Sequence, residues 1–440
     1  TIYIIKKGDS ISSVAKQFNI SEQFLRNING INSYHEDKLI EGNSLLILQG
    51  KVIHTVEEGD TLASIADQYN VSLLEIIRNN PWLMDQEYIY PKEEIIISYE
   101  GQKGREVIVN GYTFTHIDCN TLAKTLVYLT YITIYCYYIN SDGSLVDIND
   151  SPIIDLALEY GVAPIMLVTT LTPEGDYDLE LTHNLLASKK LQETFIENIL
   201  AKLEEKGYIE LTLDLPYVHQ NDRELFVEFI QHITSRLNKE NYKVNITLSP
   251  SAFEISSGFY YRGFDYESIG KNANRVILLT YEWGYTYGPS VALLPYDVFT
   301  ELLDYTVGKI PEDKITFGMS ILNYIWELPY IDGETKAGAI SYKSALEVAH
   351  MEDDTKIQYD EFAHTGFFQF IEQNKEYIVR FKGVRYIASR LDLLNKYGFN
   401  GVAIWNVMFF FIQMYLIINY KFEIKRVLES KLDSPSKEEL

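Results

Sequence analysis

A mostly apolar run from Lys206 to Val218 carries two carboxylates at a spacing that could place them on one face of a strand. The run reads KGYIELTLDLPYV, with Glu210 and Asp214 four residues apart. Side chains of a β-strand alternate between its two faces, so every second residue points the same way. Carboxyl groups placed in this way can accept hydrogen bonds or transfer protons. The next position on that face is Pro216, which has no ionisable group.

The composition limits the classes of protein to consider. The chain has 440 residues, 46% of them hydrophobic, and a formal net charge of −24. This length predicts more than one domain. The charge argues against binding to nucleic acid or anionic membranes, since both need clustered Lys and Arg. The two cysteines, Cys119 and Cys136, make no disulfide framework, and the eight histidines are scattered, so we expect neither a metal nor a cofactor.

The sequence shows no secretion signal and no membrane span. Residues 1–5 are mostly apolar, but Lys6 interrupts them too early for the core of a signal peptide. The most apolar run, Gly401 to Ile418, contains Asn406 and Gln413. Its start is strand-like and its remainder helical, so we interpret it as part of a folded core and not as a transmembrane helix.

The N-terminal part of the chain contains two copies of one pattern, offset by 51 residues. The copies are KKGDSISSVAKQFNISEQFLRNING and EEGDTLASIADQYNVSLLEIIRNNP. In each, a Gly-Asp turn precedes a hydroxyl residue, Ser10 or Thr61, that can cap a helix. Apolar residues then recur at helical spacing, and an apolar strand closes each copy. Both copies therefore predict the same βααβ unit.

This unit resembles the LysM module, present here as a tandem pair over residues 1–49 and 51–99. The resemblance implies binding to glycans that contain N-acetylglucosamine, including peptidoglycan and chitin. It also implies that the turn before the first helix and the loop after the second helix face the sugar. The residues expected there are Gly8, Asp9, Ser10, Asn29, Gly30 and Ile31 in the first module, and Gly59, Asp60, Thr61, Asn80, Pro81 and Trp82 in the second.

Beyond a polar linker at residues 99–105, eight apolar runs alternate with helical stretches. The runs are EVIVNGYTF, YITIYCYYI, APIMLVT, IELTLDL, VNITLSP, VILLTYE, ITFGMSI and GVAIWNV. Apolar strands separated by helices predict a parallel sheet covered on both faces, and eight such units predict a (β/α)8 TIM barrel over residues 106–430. The long gap before the last run predicts a small α+β insertion, at about residues 323–383, that forms a wall of a cleft. Residues 431–440 are a polar tail.

This second part resembles the family 18 glycoside hydrolases, and most closely the two-LysM branch that cuts spore cortex peptidoglycan. The motifs that carry the resemblance are NSDGSLVDIND, YGVAPIMLVT, NRVILLTYEWGYTYGP, IPEDKITFGM, KIQYDE and GFNGVAIWN. In that family the fourth strand delivers a general acid, usually Glu, preceded by an Asp that orients the substrate's 2-acetamido nucleophile. When this chain is aligned with that motif, Asp214 matches the orienting aspartate and Thr212 matches an acidic or amide position. Pro216 matches the general acid.

The resemblance offers no replacement for the acid. Glu210 lies roughly 13 Å before Asp214 along the strand, at about 3.3 Å per residue. Glu282 matches a residue that the resemblance implies for working members too. Apolar residues also stand where relatives tend to be polar, which is typical of a site released from catalysis. These residues are Ile321, Leu322, Ile325 and Ile404.

Aromatic residues expected near strand ends could still stack on sugar rings, with Asp214 and Glu282 as polar partners. By the resemblance, Trp405 forms the floor of the sugar site. The aromatic candidates are Tyr137, Tyr281, Trp283, Trp326 and Trp405.

We therefore expect a spore-envelope protein that binds peptidoglycan or chitin and whose barrel is inactive. Two alternatives stay open. The first is an active N-acetylglucosaminidase that cuts cortex peptidoglycan by a substrate-assisted retaining mechanism. The second is a structural coat protein whose barrel binds another protein, and other spore coat or cortex proteins are further candidate partners. The missing signal peptide fits synthesis in the mother cell, although a cytoplasmic protein would look the same.

Overall fold

Both N-terminal repeats fold as the predicted βααβ unit. The structure, a computed structural model, describes residues 1–31, 38–248, 264–279, 296–331, 333–351, 354–430 and 432. The first unit consists of β1 (Ile2–Ile4), α1 (Ile11–Phe18), α2 (Glu22–Asn29) and β2 (Ser44–Leu46). The second consists of β3 (Gly50–Thr55), α3 (Leu62–Tyr69), α4 (Leu73–Asn79), a 3-10 turn (Pro81–Asp85) and β4 (Glu94–Tyr99). In each unit the two strands pair antiparallel.

The first helix of each module begins at a capping box. The Ser10 hydroxyl accepts a hydrogen bond from the backbone N–H of Ser13 at 3.1 Å, and the Ser13 hydroxyl accepts one from the N–H of Ser10 at 2.9 Å. Thr61 and Ser64 repeat this exchange in the second module. Each pair satisfies two backbone donors that a helix start leaves open. The repeated motif therefore fixes where both helices begin.

Parallel strands and outer helices follow the linker. The first seven strands are β5 (Glu106–Phe114), β6 (Tyr131–Tyr138), β7 (Ala163–Thr169), β8 (Glu210–Asp214), β9 (Lys243–Leu248), β10 (Arg275–Leu278) and β11 (Ile315–Ser320). Each pairs in parallel with the next. The helices are α5 (Cys119–Leu126), α6 (Ser151–Glu159), α7 (Leu179–Ala187), α8 (Lys189–Lys206), α9 (Arg223–Lys239), α10 (Tyr266–Asn272) and α11 (Tyr296–Val307). Short 3-10 turns lie at Gln220–Asp222 and Glu312–Lys314.

An antiparallel sheet with one helix is inserted after β11. Its elements are β12 (Asn323–Leu328), β13 (Gly338–Ile340), α12 (Tyr342–His350), β14 (Gln358–Asp360), β15 (Thr365–Glu372) and β16 (Lys375–Phe381). The strands lie in the order β13-β12-β16-β15-β14. Helix α12 packs on the sheet through Ala345 and Ala349, which share an apolar cluster with Phe368 and Phe381. The insertion is therefore an α+β unit with its own small core.

The last strand closes the barrel. Helix α13 (Val384–Tyr397) precedes β17 (Gly401–Trp405), which pairs in parallel with both β11 and β5. Helix α14 (Ile412–Lys421) and the short strand β18 (Glu423–Ile424), which pairs with the start of β5, end the fold. The closed eight-stranded parallel sheet confirms the predicted (β/α)8 barrel.

Helix α14 is apolar because it is covered by both the barrel and the LysM modules. Residues Met414 to Ile418 are all buried. The Gln413 side chain donates a hydrogen bond to the backbone oxygen of Asn29 at 3.2 Å, and the Asn419 side chain donates one to the Asn79 side chain at 2.9 Å. Within the described residues, no helix is both long and apolar enough to cross a bilayer. The most apolar run of the chain is therefore the last barrel strand followed by an inter-domain core helix.

The second module is joined to the barrel by further polar contacts. The Arg78 side chain donates a hydrogen bond to the backbone oxygen of Val127 at 2.6 Å, and the Tyr128 hydroxyl donates one to the backbone oxygen of Arg78 at 2.8 Å. Lys124 forms an ion pair with Asp85. Buried apolar side chains from both modules belong to the same hydrophobic cluster as the barrel core. The modules are thus packed onto the barrel.

Candidate functional site

Aromatic side chains gather at the carboxyl ends of the barrel strands. Trp405, at the end of β17, is half-buried. The ring of Tyr112 lies 5.7 Å from the Trp405 ring between centroids, that of Phe114 5.6 Å and that of Tyr135 5.3 Å. Active sites of such barrels are built at this end. The predicted floor residue Trp405 therefore lies at the mouth, surrounded by three other rings.

Asp214 lies at the same end of the barrel, on the last residue of β8. Its side chain accepts hydrogen bonds from the hydroxyl of Thr169, at 3.2 Å, and from the hydroxyl of Thr247. Burial raises the pKa of Asp214, and the two hydroxyl donors oppose that shift only in part. Burial, together with the nearby charge of Asp214, also raises the pKa of Tyr112 and Tyr135. The carboxyl group is therefore within electrostatic reach of the aromatic cluster.

Pro216 is buried two residues beyond the end of β8. A proline side chain cannot donate a proton, so the position that the resemblance assigns to the acid supplies none. Thr212, on the inward face of β8, is buried, and its hydroxyl has no hydrogen-bond partner among the described residues. The hydroxyl of Tyr112 is buried and, within the same part of the chain, without a partner as well. Both hydroxyls are therefore buried polar groups without a hydrogen bond inside the described part of the barrel.

Glu210 lies at the opposite end of the barrel, at the start of β8. Its carboxylate is 2.9 Å from Nη1 of Arg275 and accepts a hydrogen bond from the Asn245 side chain at 3.0 Å. The Arg275 guanidinium lies over the Tyr131 ring, 4.8 Å from its centroid. Burial acts to lower the pKa of Arg275, but the charges and hydrogen bonds of Glu210 and Tyr131 together outweigh it and raise that pKa. This carboxylate is engaged in a buried ion pair far from the mouth.

The prediction that Tyr137 contacts sugar is wrong. Its side chain has no exposed surface and donates a hydrogen bond to the buried carboxylate of Asp150. The pairing of β6 with β7 shifts register between Ile134 and Tyr137, which reverses the alternation of side chains beyond that point. Tyr138 therefore joins Tyr135 in the cluster inside the barrel, and Tyr137 packs with the outer core.

Sequence reasoning missed five residues of the site. Tyr112 and Phe114 occupy alternate positions near the end of β5, so a face assignment of EVIVNGYTF could have found them. Thr169 and Thr247 stand at or near the ends of β7 and β9, the strands that flank Asp214. Tyr135 lies on the same face of β6 as Tyr131 and Thr133, so a face assignment of YITIYCYYI could have found it as well.

Trp326 is the second aromatic prediction that is wrong. Its ring is fully buried in the insertion, in a cluster with Ala363 and Ile378 and 5.7 Å from the Tyr324 ring. The remaining candidates, Tyr281, Glu282 and Trp283, lie outside the residues that the structure describes.

The apolar substitutions do not line the mouth as expected. Ile404 faces the outer helices and packs in the same cluster as Val402, so its interpretation as a lost sugar contact is wrong. Ile321 and Leu322 line a separate cavity of about 280 Å³ between the first LysM module, the insertion and helix α14. Ile325 packs against the core of the insertion. None of the four therefore shows how the mouth itself has changed.

Asn29 and Asn80 hold their own modules together. The Asn29 amide donates to the backbone oxygens of Leu25 and Leu46, both at 2.9 Å, and its oxygen accepts from the N–H of Leu46 at 2.7 Å. Asn80 makes the equivalent bonds to Ile76 and Ile96, each at 2.8 Å. Both side chains are buried. The prediction that these side chains contact sugar is therefore wrong, because their hydrogen-bonding groups are already bonded to the backbone of their own module.

The aspartates of the Gly-Asp turns also make internal bonds. Asp9 accepts a hydrogen bond from the backbone N–H of Lys6 at 2.7 Å. Asp60 accepts one from the N–H of Glu57 at 2.7 Å and lies 2.9 Å from Nε2 of His54. The bond from Glu57, and then that from His54, hold the pKa of Asp60 below its usual value. These carboxylates shape the turn.

Other residues of the two turns remain exposed. Gly8 and Gly59 adopt positive φ angles of 87° and 95°, which favour glycine. Ser10 and Thr61 are exposed, although their hydroxyls cap the helices described above. Backbone groups of the turns are thus what these positions can offer a ligand.

The loops after the second helices lie at interfaces. A Cβ added at Gly30 would be 3.2 Å from the Ile412 side chain of α14, and Ile31 lines the cavity at that junction. In the second module Pro81 is buried, and the half-buried Trp82 ring lies edge-on to that of Phe24, 6.2 Å between centroids. The first loop therefore faces the barrel, and the second faces the first module.

Possible metal ligands and both thiols of the chain lie among the described residues. In the part of the chain that the structure describes, no group of three or more His, Cys, Asp or Glu side chains could hold a metal ion. Cys119 and Cys136 are free thiols, and burial raises the pKa of Cys136 to about 12. The site offers a buried carboxyl group, hydroxyls and aromatic rings.

Comparison with known proteins identifies the barrel and the two repeats. Residues 175–409 match the model of "Glycosyl hydrolases family 18", and residues 3–47 and 54–98 match the LysM domain. The "Putative sporulation-specific glycosylase YdhD" of Bacillus subtilis is 25% identical over 97% of this chain and all of that protein. A "Cortical fragment-lytic enzyme" of the same organism is 26% identical over 68% of this chain and 69% of its own.

A solved structure matches nearly the whole chain. The crystal structure of the Bacillus megaterium spore cortex-lytic enzyme SleL covers 97% of this chain and 99% of that one. The TM-score is 0.79 and the sequence identity 29%. The likeness therefore extends over both βααβ modules and the barrel. This chain belongs to the family 18 glycosyl hydrolases and carries two LysM domains ahead of its barrel.

Proposed function

We propose that this protein binds N-acetylglucosamine-containing glycan of the bacterial spore envelope, peptidoglycan or a chitin-like polymer, and does not hydrolyse it. The observation that carries the proposal is Pro216, which occupies the acid position beside a retained Asp214 and Trp405. A family 18 reaction needs a proton donor at the leaving oxygen, and general acid catalysis typically contributes about 10² to 10⁴ in rate.

Other described carboxylates near the barrel axis do not replace that donor. Glu210 is engaged by Arg275 at the far end of the strands. Glu174, on the loop after β7, is one of the nearby charges that raise the pKa of Tyr138, after burial and Cys136. Glu174 is exposed, without the enclosed setting that positions a catalytic acid. Glu282 lies outside the described residues and matches a residue of working members.

Asp214 and the rings at the mouth support retained binding. A carboxyl group held by Thr169 and Thr247 can hydrogen-bond an acetamide, and Trp405 offers an aromatic face. The LysM domains support attachment to the same class of glycan. The names of the relatives, a sporulation-specific glycosylase and cortex-lytic enzymes, support a place in the spore envelope, where coat or cortex proteins would be neighbours.

The test is mass spectrometry of spore-cortex fragments and chitooligosaccharides after incubation with the purified chain. We expect no cleavage product, with the fragments retained by the protein in a pull-down. Asp214→Asn runs alongside as the control. Cleavage that disappears in this variant would overturn the proposal and establish an active N-acetylglucosaminidase with another proton donor. If the protein neither cleaves nor retains these fragments, the glycan is not its ligand and the proposal is overturned.

A further inference from the structure

A groove of about 500 Å³ runs between the two LysM modules. One wall is helix α2 of the first module, and the other is the segment after α4 in the second. Of the residues expected to face sugar, only Trp82 lines it. The first wall presents the side chains of Gln23, Phe24 and Asn27, and the second presents those of Trp82, Gln86 and Glu93.

The groove combines an aromatic ring with amide side chains. Trp82 is half-buried, and its interplanar angle of 74° with the Phe24 ring fixes it edge-to-face against the first module. The Gln23 amide donates a hydrogen bond to the Asn27 side-chain oxygen at 2.8 Å. This bond leaves the Gln23 oxygen and the Asn27 amide hydrogens as an acceptor and donors for a ligand. Gln86 is exposed on the opposite wall.

The carboxylates of the groove are engaged by the protein. Glu94 accepts a hydrogen bond from the Ser21 hydroxyl at 3.0 Å, and Glu93 accepts one from the backbone N–H of Tyr90 at 3.1 Å. The surfaces left for a ligand are therefore amides, an indole ring and the exposed side chain of Lys92. One lysine and two glutamates give the groove no excess of positive charge, and the protein has a net charge of −24, so the lining suits an uncharged ligand better than an anionic one.

The chemistry of this lining matches an N-acetylated sugar. A pyranose presents an apolar face that can pack on an aromatic ring, while its hydroxyl and acetamido groups each need donors and acceptors. Asn29 and Asn80 were expected to contact sugar within the modules, but their amides are hydrogen-bonded to the backbone. The groove offers an alternative set in which both modules take part.

We propose that the groove between the modules is a glycan subsite, which binds a sugar unit of an uncharged N-acetylglucosamine oligosaccharide between helix α2 and Trp82. This inference rests on the proposed glycan binding and assigns part of it to residues of both modules at once. Neither module alone contains the complete subsite.

Isothermal titration of the full chain with chitohexaose tests the proposal. We expect Trp82→Ala to increase the dissociation constant about tenfold or more, as for a central aromatic contact. The double variant Gln23→Ala/Gln86→Ala, which changes one exposed amide in each module, should increase it about threefold or more. Gln17→Ala, an exposed amide on α1, is the matched control and should bind as the wild type does.

Separate outcomes overturn the subsite and the proposed function. Wild-type affinity in both groove variants, while the wild type binds chitohexaose, would overturn the subsite and leave the proposed function standing. Weakening confined to Trp82→Ala together with a lowered melting temperature would indicate lost packing and would also overturn it. A wild-type chain that binds neither chitohexaose nor peptidoglycan would remove the proposed function and the subsite together.

Discussion

The hydroxyl of Thr169 donates a hydrogen bond to the buried carboxyl group of Asp214 across 3.2 Å, from the end of the neighbouring strand. Thr247 supports the other oxygen from the opposite side. Two neutral donors only partly offset the loss of water around an ionised group, so burial still raises the pKa of Asp214. Ionisation of the buried Asp214 at the barrel mouth therefore lowers the stability of the folded protein.

Asp214→Asn should stabilise the protein at neutral pH. In the native state the raised pKa means that Asp214 holds its proton to higher pH than in the unfolded chain, so its contribution to stability is lost as pH rises through the native pKa. Asparagine mimics the protonated form and escapes this loss. Each unit of the native pKa shift corresponds to about 1.4 kcal/mol.

Urea unfolding at a series of pH values measures this difference. We expect the Asp214→Asn variant and the wild type to converge below the ordinary pKa of aspartate, near about pH 4, and to separate as the pH increases. Thr247→Val serves as a comparison, since it removes a donor to the same carboxyl group and should lower stability at neutral pH. A wild type that gains stability over Asp214→Asn with rising pH would contradict the raised pKa.

Pro216→Glu should produce slow hydrolysis of chitooligosaccharides. The variant returns an acid to its expected position, while Asp214 and Trp405 are already in place at the mouth. Because general acid catalysis is typically worth about 10² to 10⁴ in rate, product should become detectable by mass spectrometry. Pro216→Gln, which is isosteric with the glutamate variant but cannot donate a proton in this way, should form none. A folded Pro216→Glu protein without product would show that the mouth lacks more than its acid.

Glu210→Gln should destabilise the fold without changing glycan binding. It leaves the buried Arg275 guanidinium without its charged partner, which typically costs about 3–5 kcal/mol. Chemical denaturation gives the loss of stability, and titration with chitohexaose gives the affinity. Glu267→Gln, which breaks an exposed ion pair with Lys271, is the control and should change little. Loss of affinity in a folded Glu210→Gln protein would place this carboxylate in the binding site after all.

Asn80→Ala should lower stability by about 2–4 kcal/mol, because it leaves the buried N–H and carbonyl of Ile96 without their side-chain partner and removes one of the two bonds to the Ile76 carbonyl. Gln68→Ala, on the exposed face of α3, should be neutral. Thermal unfolding followed by circular dichroism measures both. If Asn80→Ala kept its stability and lost affinity for glycan, the side chain would be a sugar ligand and not a structural one.

Local sequence patterns predicted the fold well. The repeated Gly-Asp-Ser/Thr motif indicated the helix starts that the capping boxes at Ser10 and Thr61 form, and the alternation of apolar runs with helices predicted the closed barrel. Spacing along β8 likewise predicted that Glu210 and Asp214 lie at opposite ends of the strand. These features depend on neighbours in the chain, which a sequence displays directly.

The failures depend on contacts that a sequence does not display. Tyr137 faces the outer helices because β6 shifts register against β7, and Trp326 is buried in a core that forms only when the insertion folds. Ile321 and Ile404 were assigned to the mouth by position, whereas packing places them elsewhere. Asn29 was expected to face sugar, although the backbone of β2 uses its amide. In each case, contacts with residues distant in the sequence determined where the side chain lies.

Helix α14 has a consequence for how the protein meets an insoluble polymer. Because Gln413 and Asn419 tie it to both LysM modules, the modules and the barrel mouth cannot search for ligand independently. Two sites joined by a flexible linker gain avidity on almost any spacing, whereas sites on one rigid body gain it only when the ligand matches their separation and direction. Affinity for a polymer would then depend on how its strands are arranged, and stiff, regularly arranged chains would be retained longer than disordered ones.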